Sequence, residues 1–244
     1  MKRVLILGGT QDANILAAKA ALLPNIAVIT SFAGRTHRPS LVGQVRIGNF
    51  GGILGLIEYL KTQKITGLID ATHPFAAQIS WHAAAAAANI NIPHLMFVRP
   101  AWVSSPGDRW IEVESLKTAA KILPDIARRV FLTIGRQELS TFAHLSNIWF
   151  LMRMIEPPTA TAPVPSGIVL LERGPFTAAH EQSLFVQYKI EALVSKNSGG
   201  SATEAKLDAA RALSLPVIMV QRPLMPACIQ TSTLEEALQW ILDL

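Results

Sequence analysis

The sequence predicts the α/β class with mainly parallel sheets, and three features of its patterning predict it. The apolar runs are short and several lack polar alternation, as expected of strands covered on both faces. They alternate with helix-like runs along all 244 residues, and a strand–helix rhythm builds parallel sheets through right-handed crossovers. Hydrophobic residues make up 50% of the chain and charged ones only 16%, so a large core and short loops are expected.

Strands are expected at residues 3–7, 26–30, 44–47, 66–70 and 94–98, then at 130–134, 148–154, 168–172, 192–195 and 217–220. Helices are expected over 11–22, 52–62, 75–88, 115–128, 177–187, 201–213 and 233–242. Ten strands are many for one sheet in so short a chain, so two domains are expected, 1–129 and 130–244. The boundary is placed where a helix ends in Arg128-Arg129 and a strand opens at Val130, with the last helix free to pack back on the first domain. The segment from Glu156 to Pro165 carries four prolines and reads as an extended loop.

Composition excludes several classes. Gly8-Gly9 cuts the first apolar run too short for a signal peptide. Residues 71–98 lack Asp, Glu, Lys and Arg, yet His73, Gln78, His82, Asn89, Asn91 and His94 would be costly in lipid, so no membrane span is expected. The single cysteine, Cys228, rules out an intrachain disulfide and a cysteine-based zinc cluster, and a cytoplasmic location fits. No metal site is expected. The net charge of +5 comes without a dense Lys/Arg tract or interleaved aromatics, which speaks against nucleic acid and leaves an anionic cofactor or polycarboxylate substrate.

Val4 to Ala13 reads as strand, tight turn and helix start. Gly8 and Gly9 let the backbone approach a ligand, and the N–H groups of the following helix favour a pyrophosphate. The match to a dinucleotide fingerprint is imperfect, because Thr10 stands where a second glycine is usual while Ala13 fills the last small position. A tight turn without a ligand would look the same. The second strand normally ends in an acid for the ribose 2′-hydroxyl. Here Ser31-Phe32-Ala33-Gly34-Arg35 follows, which suits a 2′-phosphate and so NADPH over NADH.

Polar clusters recur at the other expected strand ends: Asp70 to Phe75, Arg99 to Trp102, Gly135-Arg136-Gln137, Arg173-Gly174-Pro175-Phe176, Lys196 to Ser201 and Gln221-Arg222-Pro223. Ligands bind at such ends in open α/β sheets. Each cluster also has a bland account. His73 can cap a helix, Trp102 can be core, Lys196 can be solvated, and Asn197-Ser198-Gly199-Gly200 can be only a turn. Their recurrence on both halves is harder to dismiss.

Taken in this order, Leu7-Gly8-Gly9-Thr10, Ser31 to Arg35, Asp70-Ala71-Thr72-His73-Pro74-Phe75-Ala76, Arg99 to Trp102, Glu172 to Phe176, Ser195 to Gly200 and Leu215 to Pro223 resemble the precorrin-6A reductase family of cobalamin biosynthesis. The likeness runs from Val4 to Pro223. One departure is Asp12, where the family's turn more often continues with Glu; either acid serves at a helix start. The resemblance implies two Rossmann-like three-layer domains, with NADPH and an anionic tetrapyrrole in a cleft between them. It implies reduction of one macrocycle double bond of precorrin-6A, or its cobalt form, to the 6B state. Cofactor contacts are then expected from Gly8, Gly9, Thr10, Ser31, Gly34, Arg35, Thr72, His73 and Pro74. Substrate contacts are expected from Arg99, Trp102, Arg136, Gln137, Arg173, Gly174, Lys196, Asn197, Ser198, Gly199, Gly200 and Arg222. His73 and Lys196 are the candidate proton donors on chemistry alone. Transient hand-over with neighbouring pathway enzymes is a further expectation. The competing classes are a non-catalytic nucleotide-binding regulator and a short-chain sugar-nucleotide enzyme. The latter would want a Tyr-x-x-x-Lys pair, which neither Tyr59 nor Tyr188 supplies.

Overall fold

The computed structural model describes residues 1–34 and 43–244, so Arg35 lies outside the described residues. In chain order the elements are β1 (Lys2–Leu7), α1 (Gln11–Ala20), β2 (Ile26–Phe32), β3 (Gln44–Ile47), α2 (Ile53–Thr62), β4 (Gly67–Asp70), α3 (Ala77–Ile90) and β5 (His94–Phe97). There follow β6 (Arg109–Val113), α4 (Leu116–Ile122), β7 (Arg129–Thr133), β8 (Trp149–Met154), β9 (Gly167–Leu171), α5 (Ala178–Gln187), β10 (Ala192–Lys196), α6 (Ala205–Ala212) and β11 (Pro216–Val220). The chain closes with β12 (Ile229–Thr231) and α7 (Leu234–Asp243).

Two compact units result, one of Met1–Pro100 with Pro223–Leu244, the other of Ala101–Arg222. Among the described residues each holds one six-stranded sheet, and every pairing is parallel. The first sheet runs β12-β5-β4-β1-β2-β3 and the second β6-β11-β10-β7-β8-β9. From each unit's first central strand, the chain winds outward through two strands on one side. It then returns to the other side. The winding therefore reverses between β1 and β4 in the first sheet and between β7 and β10 in the second, and such reversals open a crevice at the carboxyl ends of the strands.

The layers follow from the residues. Val4 to Leu7 are all buried, so β1 is apolar on both faces. Val4, Ile6, Ile69 and Leu95 pack beneath Leu16 and Ala17 of α1 and Ala237 and Ile241 of α7. Leu5, Leu7 and Leu68 face Leu56 and Leu60 of α2 and Ala83, Ala86 and Ala87 of α3, where alanines let the helix lie close to the sheet. In the second unit Phe131, Leu151, Leu193 and Met219 meet Leu184 and Phe185 of α5 and Leu207 and Ala210 of α6. Among the described residues no helix is long and apolar enough to cross a membrane.

Three details differ from the sequence expectations. The division falls at Pro100, not after residue 129, because Arg109–Val113 is a strand that pairs with β11 on the edge of the second sheet. It is mostly exposed, and Arg109 and Glu112 interrupt its apolar residues, which hid it. Ile229–Thr231 is a second unforeseen edge strand, pairing with β5 and returning the chain to the first unit before α7 packs there. The helix expected over 115–128 stops at Ile122 and passes into a 3-10 turn at Leu123–Asp125 that contains Pro124.

Candidate active site

In the first unit two loops flank the reversal point. Gly8-Gly9-Thr10 follows β1, and Ala71 to Ala76 follows β4. Thr10 is the N-cap of α1; its Oγ1 accepts the Ala13 N–H at 3.0 Å and donates to the Ala71 carbonyl at 2.9 Å. One hydroxyl thus starts the helix and ties the loops together. Thr10 was expected to touch a cofactor, but with its hydroxyl engaged it is the backbone here that can face a ligand. The N–H groups of Gln11 and Asp12 stand in the first turn, where no carbonyl of the helix can reach them. Gly9 sits at φ +119°, and among the described residues a Cβ built there would meet nothing within 4 Å, which suits the approach of a phosphate.

The β4 loop is held from below. Buried Asp70 accepts the Thr72 N–H at 3.0 Å and the Thr72 hydroxyl at 2.6 Å through Oδ1. This spends the Thr72 hydroxyl on the loop itself. His73 Nδ1 accepts the Phe75 N–H at 3.2 Å, and its carbonyl accepts the Ala76 N–H at 2.7 Å. The contact stays within the turn and caps no helix, because α3 begins at Ala77 and its N-cap, Ala76, receives no side-chain hydrogen bond. It also fixes the tautomer, since a neutral ring that accepts at Nδ1 carries its proton on Nε2. Pro74 completes the turn ahead of α3. Burial lowers the pKa of His94, at the start of β5, with the Asp70 charge opposing that shift.

Near the end of β2, the Ser31 carbonyl accepts the Gly8 N–H at 2.9 Å. Gly34 takes a left-handed φ of +77° just beyond. Sequence reading missed Arg46 on β3. Its guanidinium lies 3.4 Å from Ser31 Oγ, donates to the carbonyls of Gly48 and Asn49, and stacks 3.7 Å from the Phe50 ring centroid. Burial lowers its pKa, with the interaction with Tyr59 acting the other way. The signal that could have found it was a lone arginine in a strand neighbouring the acid-free end of β2. Arg99 was expected to meet substrate, yet it lies in the first unit and pairs with Asp12 of α1 at 3.0 Å, beside the glycine turn.

In the second unit the loops after β7 and β10 flank the other reversal. Arg136 and Gln137 follow β7, and Asn197, Ser198, Gly199 and Gly200 follow Lys196, the last residue of β10. Lys196 forms an ion pair with Glu138, and Arg136 pairs with Glu156 at 3.0 Å. Three expected substrate residues hold the loop. The Asn197 amide is spent on the Trp102 backbone, donating to its carbonyl at 3.0 Å and accepting its N–H at 2.8 Å. Trp102 is only 8% exposed, donates its indole N–H to the Gly200 carbonyl at 3.2 Å, and has the Lys206 ammonium 4.4 Å from its ring centroid. Arg222 donates to the carbonyls of Asn197 and Ser198 at 2.9 and 3.1 Å. Gly199 and Gly200 take φ of +69° and +83° in the loop so held.

Arg173 and Gly174 lie after β9. A Cβ on Gly174 would come within 2.9 Å of the Ala202 carbonyl oxygen, so that position is set by packing. Arg173 is exposed and makes no hydrogen bond or ion pair among the described residues. The preceding residue, Glu172, lies 3.7 Å from Arg153 of a buried Arg153–Glu181 pair that sequence reading also missed.

Fold and loops together define a doubly wound α/β protein with a glycine turn at the winding reversal of one sheet and cationic side chains after the strands of the other. The family described as precorrin-6x reductase CbiJ/CobK matches residues 3–242. The chain is 48% identical over 243 residues to a precorrin-6A reductase of Rhodococcus erythropolis, covering 99% of this chain and 98% of that protein. It is 27% identical over 253 residues to a cobalt-precorrin-6A reductase of Priestia megaterium, covering 98% of each. A solved structure of CobK precorrin-6A reductase superposes with a TM-score of 0.93 at 41% identity, covering 100% of this chain and 97% of the other. The chain belongs to the precorrin-6x reductase CbiJ/CobK family, oxidoreductases of cobalamin biosynthesis.

Proposed function

We propose that this protein reduces one macrocycle double bond of precorrin-6A to the 6B form with NADPH as reductant. The observation that carries the reading is full-length likeness, at 42–48% identity, to proteins named precorrin-6A reductase. Those named cobalt-precorrin-6A reductase are 27–29% identical, which favours the metal-free substrate.

The first unit suits the cofactor. The open face at Gly9 and the first N–H groups of α1 suit a pyrophosphate. Ser31 in place of a ribose acid, with Arg46 at its hydroxyl and Arg35 further along the sequence, suits a 2′-phosphate. The second unit suits a polycarboxylate. Arg173, Arg136 and Lys196 offer cations, while Gln137, Ser198 and the glycine backbone offer neutral donors.

NADPH supplies a hydride to one carbon of the conjugated system. The electron pair displaced from the double bond must then be met by a proton. His73 Nε2–H and the Lys196 ammonium are the groups assigned to hold or deliver it, and Lys196 also orients a substrate carboxylate. Site closure against water and neutralisation of the carboxylates are the protein's remaining share. The setting is cytoplasmic, with substrate received from and product passed to neighbouring pathway enzymes.

The test is anaerobic incubation with precorrin-6A and NADPH, followed by absorbance. Loss of NADPH matched by bleaching of the macrocycle is expected, with slower turnover on NADH and on cobalt-precorrin-6A. No change with either macrocycle would sink the reading.

A further inference from the structure

The second unit buries an ion cluster for which the proposed reaction has no use. Arg153, near the end of β8, is 6% exposed. It pairs with Glu181, a fully buried residue in the first turn of α5, and lies 3.7 Å from Glu172, the residue that follows β9. Its guanidinium carbon sits 3.7 Å from the Phe176 ring centroid and 4.9 Å from that of Phe131. His180 reaches Glu172 at 3.1 Å and stacks on Phe176 with ring centroids 6.4 Å apart.

Buried charge persists only when paired, and a guanidinium satisfies partners in fixed directions. Among the described residues Glu181 Oε2 has no hydrogen-bond partner, so that carboxylate depends on Arg153 through its other oxygen. Residues from β8, α5 and the β9 loop therefore satisfy one another in a single arrangement. Glu172 and Phe176 are the two ends of the segment that arrangement grips. Between them stands Arg173, the exposed cation that has no partner of its own among the described residues.

We propose that Arg153 is a positioning residue for substrate recognition, fixing through Glu172 and Phe176 the loop that presents Arg173 to a carboxylate of the anionic substrate. The inference rests on the second unit being the substrate-binding one. Arg173 alone would be a flexible side chain on a flexible loop; held at both ends, it meets the carboxylate without the entropy cost of ordering the loop.

The experiment is steady-state kinetics of the full chain with precorrin-6A and NADPH. Arg153→Lys keeps the charge opposite Glu181 and loses the flat face against Phe176. It should raise the KM for precorrin-6A about tenfold, as should Arg173→Ala, the order of one charge-assisted contact. The NADPH KM and kcat should stay within about twofold in both, which general damage to the fold would not allow. The double variant should be no more than about twofold worse than either single one, because both remove the same contact. Phe176→Leu, at a half-buried position, gives the same coupling measurement should Arg153→Lys fail to fold. Losses that multiply to about hundredfold, or an Arg173→Ala protein with unchanged KM, would overturn the inference. A wild-type protein that does not turn over precorrin-6A would instead remove the underlying reading.

Discussion

Replacing Thr10 by valine keeps the side chain's shape and deletes one hydroxyl that makes two bonds. Oγ1 accepts the Ala13 N–H at 3.0 Å and donates to the Ala71 carbonyl at 2.9 Å. Loss of an N-cap costs about 1 kcal/mol. Leaving a part-buried carbonyl without its donor costs about 1 kcal/mol more. For a chain of this size, a total of about 2 kcal/mol lowers Tm by roughly 4–8 °C. Thr10→Ser keeps both bonds and should melt close to the parent. Because the second bond joins the loops on either side of the β1/β4 reversal, Thr10→Val should also raise the NADPH KM by about fivefold, near 1 kcal/mol, while leaving the precorrin-6A KM alone. Thermal melting by circular dichroism and NADPH-dependent kinetics check both halves. A Thr10→Val protein that melts with the parent, or a Thr10→Ser protein that falls as far, would refute the idea that this hydroxyl couples the loops.

Four further outcomes are expected. Gly9→Ala forces a side chain into φ +119°, costing about 1–2 kcal/mol in strain, and places its methyl where the pyrophosphate should approach. Its NADPH KM should rise at least about tenfold, far beyond what the melting shift explains. Arg46→Ala should narrow the preference for NADPH over NADH; equal losses with both cofactors in kinetic titrations would leave it only a loop-holding role. Lys196→Met should raise the precorrin-6A KM by roughly tenfold, the order of one charged contact, with NADPH binding unchanged by fluorescence titration. Finally, burial depresses the pKa of His94 from its ordinary 6.5, with the Asp70 charge opposing. Above that value the ring is neutral in both folded and unfolded chains and contributes no pH dependence. Below it the unfolded chain takes up the proton first, so stability falls with pH, by up to about 1.4 kcal/mol per pH unit, until the folded ring protonates too. Denaturant melts between pH 7 and pH 5 should show this slope, and His94→Gln should flatten it.

The buried strands were legible because an apolar run without alternation has few other uses; Val4 to Leu7 and Ala192 to Val194 are such runs. Edge strands were not. Arg109–Val113 and Ile229–Thr231 are mostly exposed, so their local sequence resembles loop, and only pairing with β11 and β5 makes them strands. The domain boundary was misplaced for the same reason. In the site, residue types at strand ends could be read, but their employment could not. Asn197, Trp102 and Arg222 look like ligand contacts in sequence and are joined to each other's backbone in space. Arg46 and Arg153 drew no notice, because an arginine inside a strand acquires meaning only from the neighbours that pairing brings to it.

The glycine turn, the acid-free end of the second strand and the strand–helix rhythm are properties of contiguous residues, so sequence alone determined the class of fold and the kind of cofactor to propose. Backbone conformation at Gly9 and the start of a helix after it depend on a few adjacent side chains. The partners of a charge depend instead on register between strands far apart in the chain. Asp12 meets Arg99, Glu138 meets Lys196 and Glu181 meets Arg153 only once the sheets are wound. Tertiary structure therefore decided which of the strand-end cations pair within the protein, and it left Arg173 with no partner among the described residues.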